Sequence, residues 1–276
     1  MTLFPAGADI PRAMGGVALG SLAAAAVIAT VPVGVIQGAD KAPARSSCLN
    51  TLAGGKPVRF AASDGVRLFG RVAGRGTVGV VLGNPWTTTQ CEWLDFDLRF
   101  VKLLLSSGFR VLLFDYRGTG GSHAATGAAA DRYDADVLGA VAELRKRGAK
   151  KVVLVGGSLS GIIMLATAAE LRPNPAAIVS LSGSGFAGTN TGKGYGSLDG
   201  RAAVKRLRVP LLFVAAKGDA EALADARILF KAAVTSDKQL VVISGSAHAT
   251  AMLYDSAPGA GALGTRIIAF IRQHSG

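Results

Sequence analysis

The sequence over residues 152–161, VVLVGGSLSG, contains a serine in a setting typical of an activated nucleophile. An apolar strand-like run leads directly into small residues, and a helical pattern follows. In a nucleophile elbow, such a strand–turn–helix unit lifts a serine hydroxyl above the carboxyl edge of a sheet. The second glycine of the usual G-x-S-x-G pattern is replaced here by Ser160, which is still small. Ser158 is therefore the candidate nucleophile; the other interpretation is an ordinary glycine turn before a helix.

A serine hydroxyl needs a base to accept its proton, and the chain has three histidines. His274 lies near the end of the sequence, on an expected frayed tail. His123 lies in a loop that precedes the serine in chain order. His248 follows the last predicted strand, and its neighbours are small enough to let it approach a site. The chain order of serine, acid and histidine favours His248, although a loop histidine without a chemical role is the alternative.

The acid that orients such a histidine is expected after the strand that lies between the two. Asp219 is the first carboxylate past the predicted strand 211–215. Glu221 and Asp225 are the fallback candidates on the helix that follows. Asp219 is also compatible with a plain structural role as the N-cap of that helix.

The elements that must position these residues alternate between strands and helices. Continuous apolar runs predict strands that are buried on both faces, and a Gly-containing turn at 63–65 predicts a hairpin. Apolar residues at helical spacing predict the helices. The predicted strands are 58–62, 66–73, 77–82, 110–114, 152–155, 177–181, 211–215 and 240–243, and the predicted helices are 96–105, 133–147, 161–171 and 261–273.

This alternation predicts an α/β fold with a mostly parallel central sheet and helices on both faces. The stretch 183–200 is rich in Gly and Thr, and only 199–207 after it has the pattern of a short helix. We therefore expect no substantial lid domain between the strands 177–181 and 211–215.

Together these residues resemble the α/β-hydrolase superfamily over about residues 55–275. The sequence FDYRGTGGS at 114–122 is similar to that family's loop after the fourth strand and is a second, independent match. The chain looks most like the small, leader-bearing hydrolases of actinobacteria. The resemblance implies the α/β-hydrolase fold and cleavage of acyl esters by Ser158, His248 and Asp219. It also implies an acyl-enzyme intermediate, no cofactor and no metal.

The family also implies an oxyanion hole with two backbone donors. One would be the amide of Leu159, directly after the serine. The other belongs to the loop after the third strand, where the family usually has His-Gly and this chain has Asn84-Pro85. At constant strand length Trp86 is the predicted donor. A shift of one residue would place Pro85 there, and proline has no N–H.

The first 44 residues differ from the rest, because residues 13–38 contain no charged side chain. This length favours an uncleaved membrane anchor. A cleaved signal segment, with Ala42-Pro43-Ala44 as the cleavage motif, and a buried helix are the alternatives. We expect a leader over residues 1–44, a hydrolase domain over 45–276, and an extracytoplasmic location, either membrane-anchored or secreted.

Two cysteines are too few for a disulfide scaffold or a four-cysteine zinc site. In an exported chain, an even pair favours a bridge between Cys48 and Cys91, which would tether the loop expected to carry the second oxyanion donor. Two unpaired thiols are the alternative.

The net charge of +12 bears on which partners the protein can bind, but it says little about the fold. A basic cluster at 145–151 is explained by the end of a helix on a solvated surface. With few aromatic residues and no groove-reading motif, nucleic-acid binding is not expected.

The sequence is compatible with two functions. The first is a serine hydrolase, a carboxylesterase that acts on a small-molecule ester with a short acyl chain. The alternative is a catalytically silent module of the same fold that binds an envelope ligand.

Overall fold

The computed structural model describes residue 48 and residues 55–85, 88–187 and 198–276. The predicted leader lies outside these residues, so the anchor, the signal segment and the export of the chain stay predictions. No helix among the described residues is long and apolar enough to cross a membrane.

An eight-stranded sheet runs through the described chain in the order β1-β2-β4-β3-β5-β6-β9-β10. The strands β3 to β6, β9 and β10 are parallel, whereas β1 and β2 form an antiparallel hairpin, and β2 runs antiparallel to β4. The bounds are β1 Lys56–Ala61, β2 Arg67–Ala73, β3 Val78–Gly83, β4 Arg110–Asp115, β5 Lys151–Gly157, β6 Ala177–Leu181, β9 Leu211–Ala216 and β10 Lys238–Ile243. Two short strands, β7 Phe186–Ala187 and β8 Leu198–Asp199, pair with each other outside this sheet.

Helices cover both faces of the sheet, as predicted. One face packs against α3 Tyr133–Lys146, α4 Leu159–Ala168, α5 Gly200–Arg206 and α6 Ala220–Ala232, and the other against α1 Cys91–Asp95, α2 Leu98–Ser106 and α7 Ala260–Ser275. The interior strands are apolar because each alternate side chain enters one of these two cores. The predicted fold class, an α/β fold with a mostly parallel sheet between helical layers, is confirmed.

The helix predicted over 96–105 differs from the structure. The chain forms α1 first, leaves the helix at Phe96 and Asp97, and continues as α2. Cys91 therefore begins a helix instead of lying in a loop. It forms a disulfide with Cys48, as the even cysteine count predicted.

The end of the chain also differs from the prediction of a frayed tail. The helix α7 continues to Ser275, and the side chain of His274 on it is only 7% exposed. Its Nδ1 lies 3.2 Å from a carboxylate oxygen of Asp237, and its ring packs against Phe270. Because β10 follows Asp237 directly, this contact ties the last helix to the edge of the sheet.

The loop matched by FDYRGTGGS is held by buried ionic groups. The carboxylate of Asp115, at the end of β4, accepts hydrogen bonds from the amides of Gln90 and Gly121, both at 2.8 Å. Arg117 lies between the carboxylates of Asp136 and Asp64, at 2.7 and 2.8 Å. These contacts join the loops after β3 and β4 at the carboxyl edge of the sheet.

Asp97, between α1 and α2, is fully buried, and neither carboxyl oxygen has a hydrogen-bond partner among the described residues. Burial, together with the nearby charges of Glu92 and Asp255, raises the pKa of Asp97 to about 9. The folded protein therefore keeps a proton that the unfolded chain loses above its ordinary pKa near 4.

We predict that the free energy of unfolding falls as the pH rises between about 5 and 9, by up to about 1.4 kcal/mol per pH unit for this one proton. Asp97→Asn has no such proton, so it should gain stability over the parent at pH 8 and differ little at pH 5. Urea unfolding at both pH values measures this difference. Asp95→Asn, which changes an exposed carboxylate on α1, is the control; an identical pH slope in the parent and Asp97→Asn would contradict the prediction.

Candidate active site

Ser158 lies in the sharp turn between β5 and α4, with φ 53° and ψ −122°. Few residues other than glycine adopt a positive φ, so the turn holds the serine in a strained conformation. The two glycines before Ser158 lie where there is little space for a side chain. A Cβ on Gly156 would overlap the backbone of Ser160, and one on Gly157 would lie 3.1 Å from Thr250 Cγ2. The small residues of the motif thus allow a strand, a helix and a second loop to meet at Ser158.

His248 follows β10 and points its ring toward Ser158. Its Nε2 lies 3.0 Å from Ser158 Oγ, and its Nδ1 lies 2.7 Å from Asp219 Oδ2. The histidine side chain is half exposed, whereas that of Asp219 is mostly buried. The three predicted side chains therefore form one continuous chain of contacts, from the hydroxyl through the imidazole to the carboxylate.

Asp219 stands at the N-cap position of α6, but its side chain makes no capping hydrogen bond. The carboxylate instead contacts His248 and Ser182. The two fallback carboxylates lie elsewhere: Asp225 accepts a hydrogen bond from the amide of Gly185 at 2.8 Å, and Glu221 is exposed in the first turn of α6. The geometry therefore distinguishes Asp219 from both alternatives.

Ser182, directly after β6, was not identified from the sequence. Its hydroxyl donates to Asp219 Oδ2 at 3.0 Å, the same oxygen that faces the imidazole. Ser182 is buried and has φ 47°. Nothing in the local sequence distinguishes it from an ordinary turn serine, because its partner is 37 residues away.

Backbone strain is concentrated around these side chains. Among the described residues, the positive-φ positions that are not glycine are Ser158, Ser182 and Ala249. The first is the candidate nucleophile, the second binds the candidate acid, and the third follows the candidate base. Strained residues of this kind persist where the surrounding structure imposes them, and they cluster at functional sites.

The loop that carries His248 is hydrogen-bonded to α1. Glu92 Oε1 accepts hydrogen bonds from the hydroxyls of Thr250 and Tyr254, at 2.9 and 2.5 Å. The ring of Tyr254 stacks on Phe96 at 4.9 Å, and the amide of Asp255 donates to the carbonyl of Phe96. These contacts fix the short 3-10 helix that follows the histidine.

One of the two predicted oxyanion donors can be described. Leu159 is the first residue of α4, directly after Ser158. Its amide N–H therefore has no acceptor within that helix. Trp86 lies outside the described residues, so its role stays a prediction. The hydroxyl of Ser160 donates to the carbonyl of Asn84, and its oxygen lies 3.0 Å from the hydroxyl of Tyr116. Ser160 thus occupies the usual glycine position with its hydroxyl satisfied.

The other two histidines make their contacts with residues outside the candidate site. His123 lies beside Arg67 in the loop after β4, and His274 contacts Asp237. The one group of metal-type ligands among the described residues is Cys48, Cys91 and Asp95. Its cysteines are joined in the disulfide, so they offer no thiolate to a metal ion.

Comparisons with known proteins agree with this architecture. A family model described as the alpha/beta hydrolase fold matches residues 90–194. An esterase from Pyrococcus furiosus superposes with a TM-score of 0.68 at 16% identity, over 80% of this chain and 92% of that one. No curated protein matches the sequence.

Two further esterase structures are similar. One from Thermogutta terrifontis gives a TM-score of 0.64 at 18% identity, covering 80% of this chain and 100% of that one. One from a Rhodococcus species gives 0.63 at 15% identity, covering 79% and 99%. At these identities the likeness concerns the fold. The chain has the α/β-hydrolase fold, as the sequence predicted; the finer resemblance to small exported actinobacterial hydrolases stays a prediction.

Proposed function

We propose that this protein is a serine hydrolase, a carboxylesterase that cleaves small-molecule esters with short acyl chains. The observation that carries this proposal is the chain of contacts from Ser158 Oγ through His248 to Asp219, with distances of 3.0 and 2.7 Å. The similarity of the fold to three esterase structures supports the same class of reaction.

In the proposed mechanism, Ser158 Oγ attacks the ester carbonyl while His248 Nε2 accepts the hydroxyl proton. A bond forms between Oγ and the carbonyl carbon, and the carbonyl oxygen becomes an oxyanion. The amide of Leu159 donates a hydrogen bond to that oxygen, which stabilises the charge where it develops. Collapse of this intermediate breaks the bond to the alkoxy group, and the imidazolium returns the proton to the departing alcohol.

Deacylation repeats these steps with water. His248 accepts a proton from the water as its oxygen attacks the acyl-enzyme carbonyl, and the proton then passes to Ser158 Oγ as the acid leaves. Asp219 keeps the Nδ1–H of the imidazole directed at itself and so presents Nε2 to the serine. It also stabilises the transient positive charge on the ring.

Short acyl chains are proposed because Phe186 is the one exposed large apolar side chain in the described part of the interval between β6 and β9, which is too little to cover a long chain. The apolar residues Ala203 and Val204 of α5 are buried in the core, and Lys205 and Arg206 are exposed. The strands β7 and β8 have two residues each. Residues 188–197 lie outside the described chain.

We predict that Ser158→Ala and His248→Ala each lower kcat/KM for p-nitrophenyl butyrate by at least about a thousandfold. The double variant should lose little more, because the two residues act as a unit. A fluorophosphonate probe should label the parent and not Ser158→Ala. The exposed Ser244→Ala is the matched control and should keep both activity and labelling.

Unchanged hydrolysis in Ser158→Ala would refute the proposed nucleophile. A folded parent protein that neither hydrolyses esters nor reacts with the probe would favour the silent binding module instead.

We predict that Ser182→Ala lowers kcat/KM by about 10- to 100-fold, because one hydrogen bond to a charged group contributes about 1.5–3 kcal/mol. Its effect should vanish in an Asp219→Ala background, since Ser182 would act through that carboxylate. Ser182→Cys, which retains a weak donor, should recover part of the activity. Full additivity of Ser182→Ala and Asp219→Ala in this double-mutant cycle would show that the hydroxyl does not act through Asp219.

We predict that rates decrease with acyl length from p-nitrophenyl acetate or butyrate to palmitate. No jump in rate is expected when an ester passes its critical micelle concentration, because the described residues between β6 and β9 form no apolar cover that would have to open. Initial rates below and above that concentration measure both effects. A maximum at long chains with activation at the interface would make this protein a lipase.

A further inference from the structure

A cavity of about 500 Å³ lies at the end of the sheet opposite Ser158. Four of its seven lining residues carry a positive charge, and none is acidic. The cationic residues are Lys56, Arg75, Arg110 and Arg147. None of them belongs to the candidate active site.

The fold brings these residues together from four separate segments. Lys56 begins β1, and Arg110 begins β4. Arg75 lies in the connection from β2 to β3, and Arg147 is the C-cap of α3. The floor is apolar, because Val72 and Ala73 at the end of β2 line it.

The positive charge in this cavity is only partly balanced. Arg147 pairs with Glu143 at 2.5 Å. No carboxylate among the described residues lies within salt-bridge distance of Lys56, Arg75 or Arg110. Three like charges thus share one concave surface, and their mutual repulsion is relieved when a negatively charged group binds between them.

The guanidinium group of Arg110 is fixed by a hydrogen bond to the backbone. Its Nη2 donates to the carbonyl of Arg75 at 3.1 Å, which fixes the group at the cavity wall. Its Nη1 is shielded from solvent and has no hydrogen-bond acceptor among the described residues. The side chain of Arg110 lines the cavity, so its positive charge, held in place by the Arg75 carbonyl, is available to an anionic ligand there.

We propose that this cavity binds a phosphoryl group, either as a free phosphate compound or as the head group of an anionic phospholipid. A phosphoryl group offers several oxygen acceptors and up to two negative charges. Guanidinium groups bind such oxygens through paired, charge-assisted hydrogen bonds. A carboxylate would supply only one negative charge to the three unbalanced cations.

The position of the cavity separates this binding from the active site. Arg110 begins a parallel strand, whereas Ser158 follows the end of another, and strands of six or seven residues span about 20 Å. A phospholipid surface bound here would leave Ser158 facing away from the membrane.

The test uses the full chain and two sources of the phosphoryl group. Inorganic phosphate is titrated by calorimetry and by its effect on the melting temperature, since a ligand that binds the folded state raises it. Vesicles of phosphatidylcholine with and without phosphatidylglycerol are tested by co-sedimentation. Arg75→Glu and Lys56→Glu change exposed cavity residues, and Arg227→Glu, an exposed cation on α6, is the matched control.

We expect at least a tenfold weaker binding in Arg75→Glu and in Lys56→Glu, with no change in Arg227→Glu. Ester hydrolysis should be unchanged in all three, and since binding is measured without a substrate, its outcome does not depend on the proposed function. Binding of inorganic phosphate would identify a free phosphate compound as the ligand class, and binding of phosphatidylglycerol vesicles alone would identify a lipid head group. Absence of both, or an equal loss in Arg227→Glu, would overturn the proposal.

Discussion

The burial of both faces of the parallel sheet is the constraint on which the rest of the structure depends. Strands such as β4 and β5 are apolar almost throughout, because α3 to α6 cover one face and α1, α2 and α7 cover the other. Polar side chains that must meet a substrate therefore have to follow the strands, where the chain leaves the two cores. Ser158, Asp219 and His248 each follow a parallel strand at its carboxyl end, and the parallel arrangement brings these ends to one edge.

Strain and buried hydrogen bonds hold these side chains in place. The turn at Ser158 and the turn at Ser182 both have a positive φ, and the strands and helices around them impose this conformation. One carboxylate oxygen of Asp219 contacts both Ser182 and His248. The carboxylate therefore has little freedom to rotate away from His248. For the proposed reaction, a site arranged in this way needs little rearrangement, which lowers the entropic part of the barrier.

The sequence predicted the sheet, Ser158 and Asp219 because each depends on a local pattern: an apolar run, a small-residue turn, and the first carboxylate after a strand. His248 was predicted by elimination among three histidines and by its place in the chain order. The sequence could not predict Ser182, whose role depends on a contact between distant turns. Likewise, it could not predict that the side chain of His274 contacts Asp237, because these residues are 37 positions apart in the chain. The break at Asp97 was missed because the apolar spacing continues across it into α2.

The disulfide has a practical consequence for anyone who prepares this protein. Cys91 immediately precedes Glu92, whose carboxylate supports the loop of His248 through Thr250 and Tyr254. Material produced in a reducing bacterial cytosol would carry two thiols in place of the bridge. In such material α1 loses one of its attachments, and the histidine loop rests on a less constrained helix. For the proposed hydrolysis we therefore expect two preparations with identical sequences to differ in rate, so the choice of expression host becomes an experimental variable.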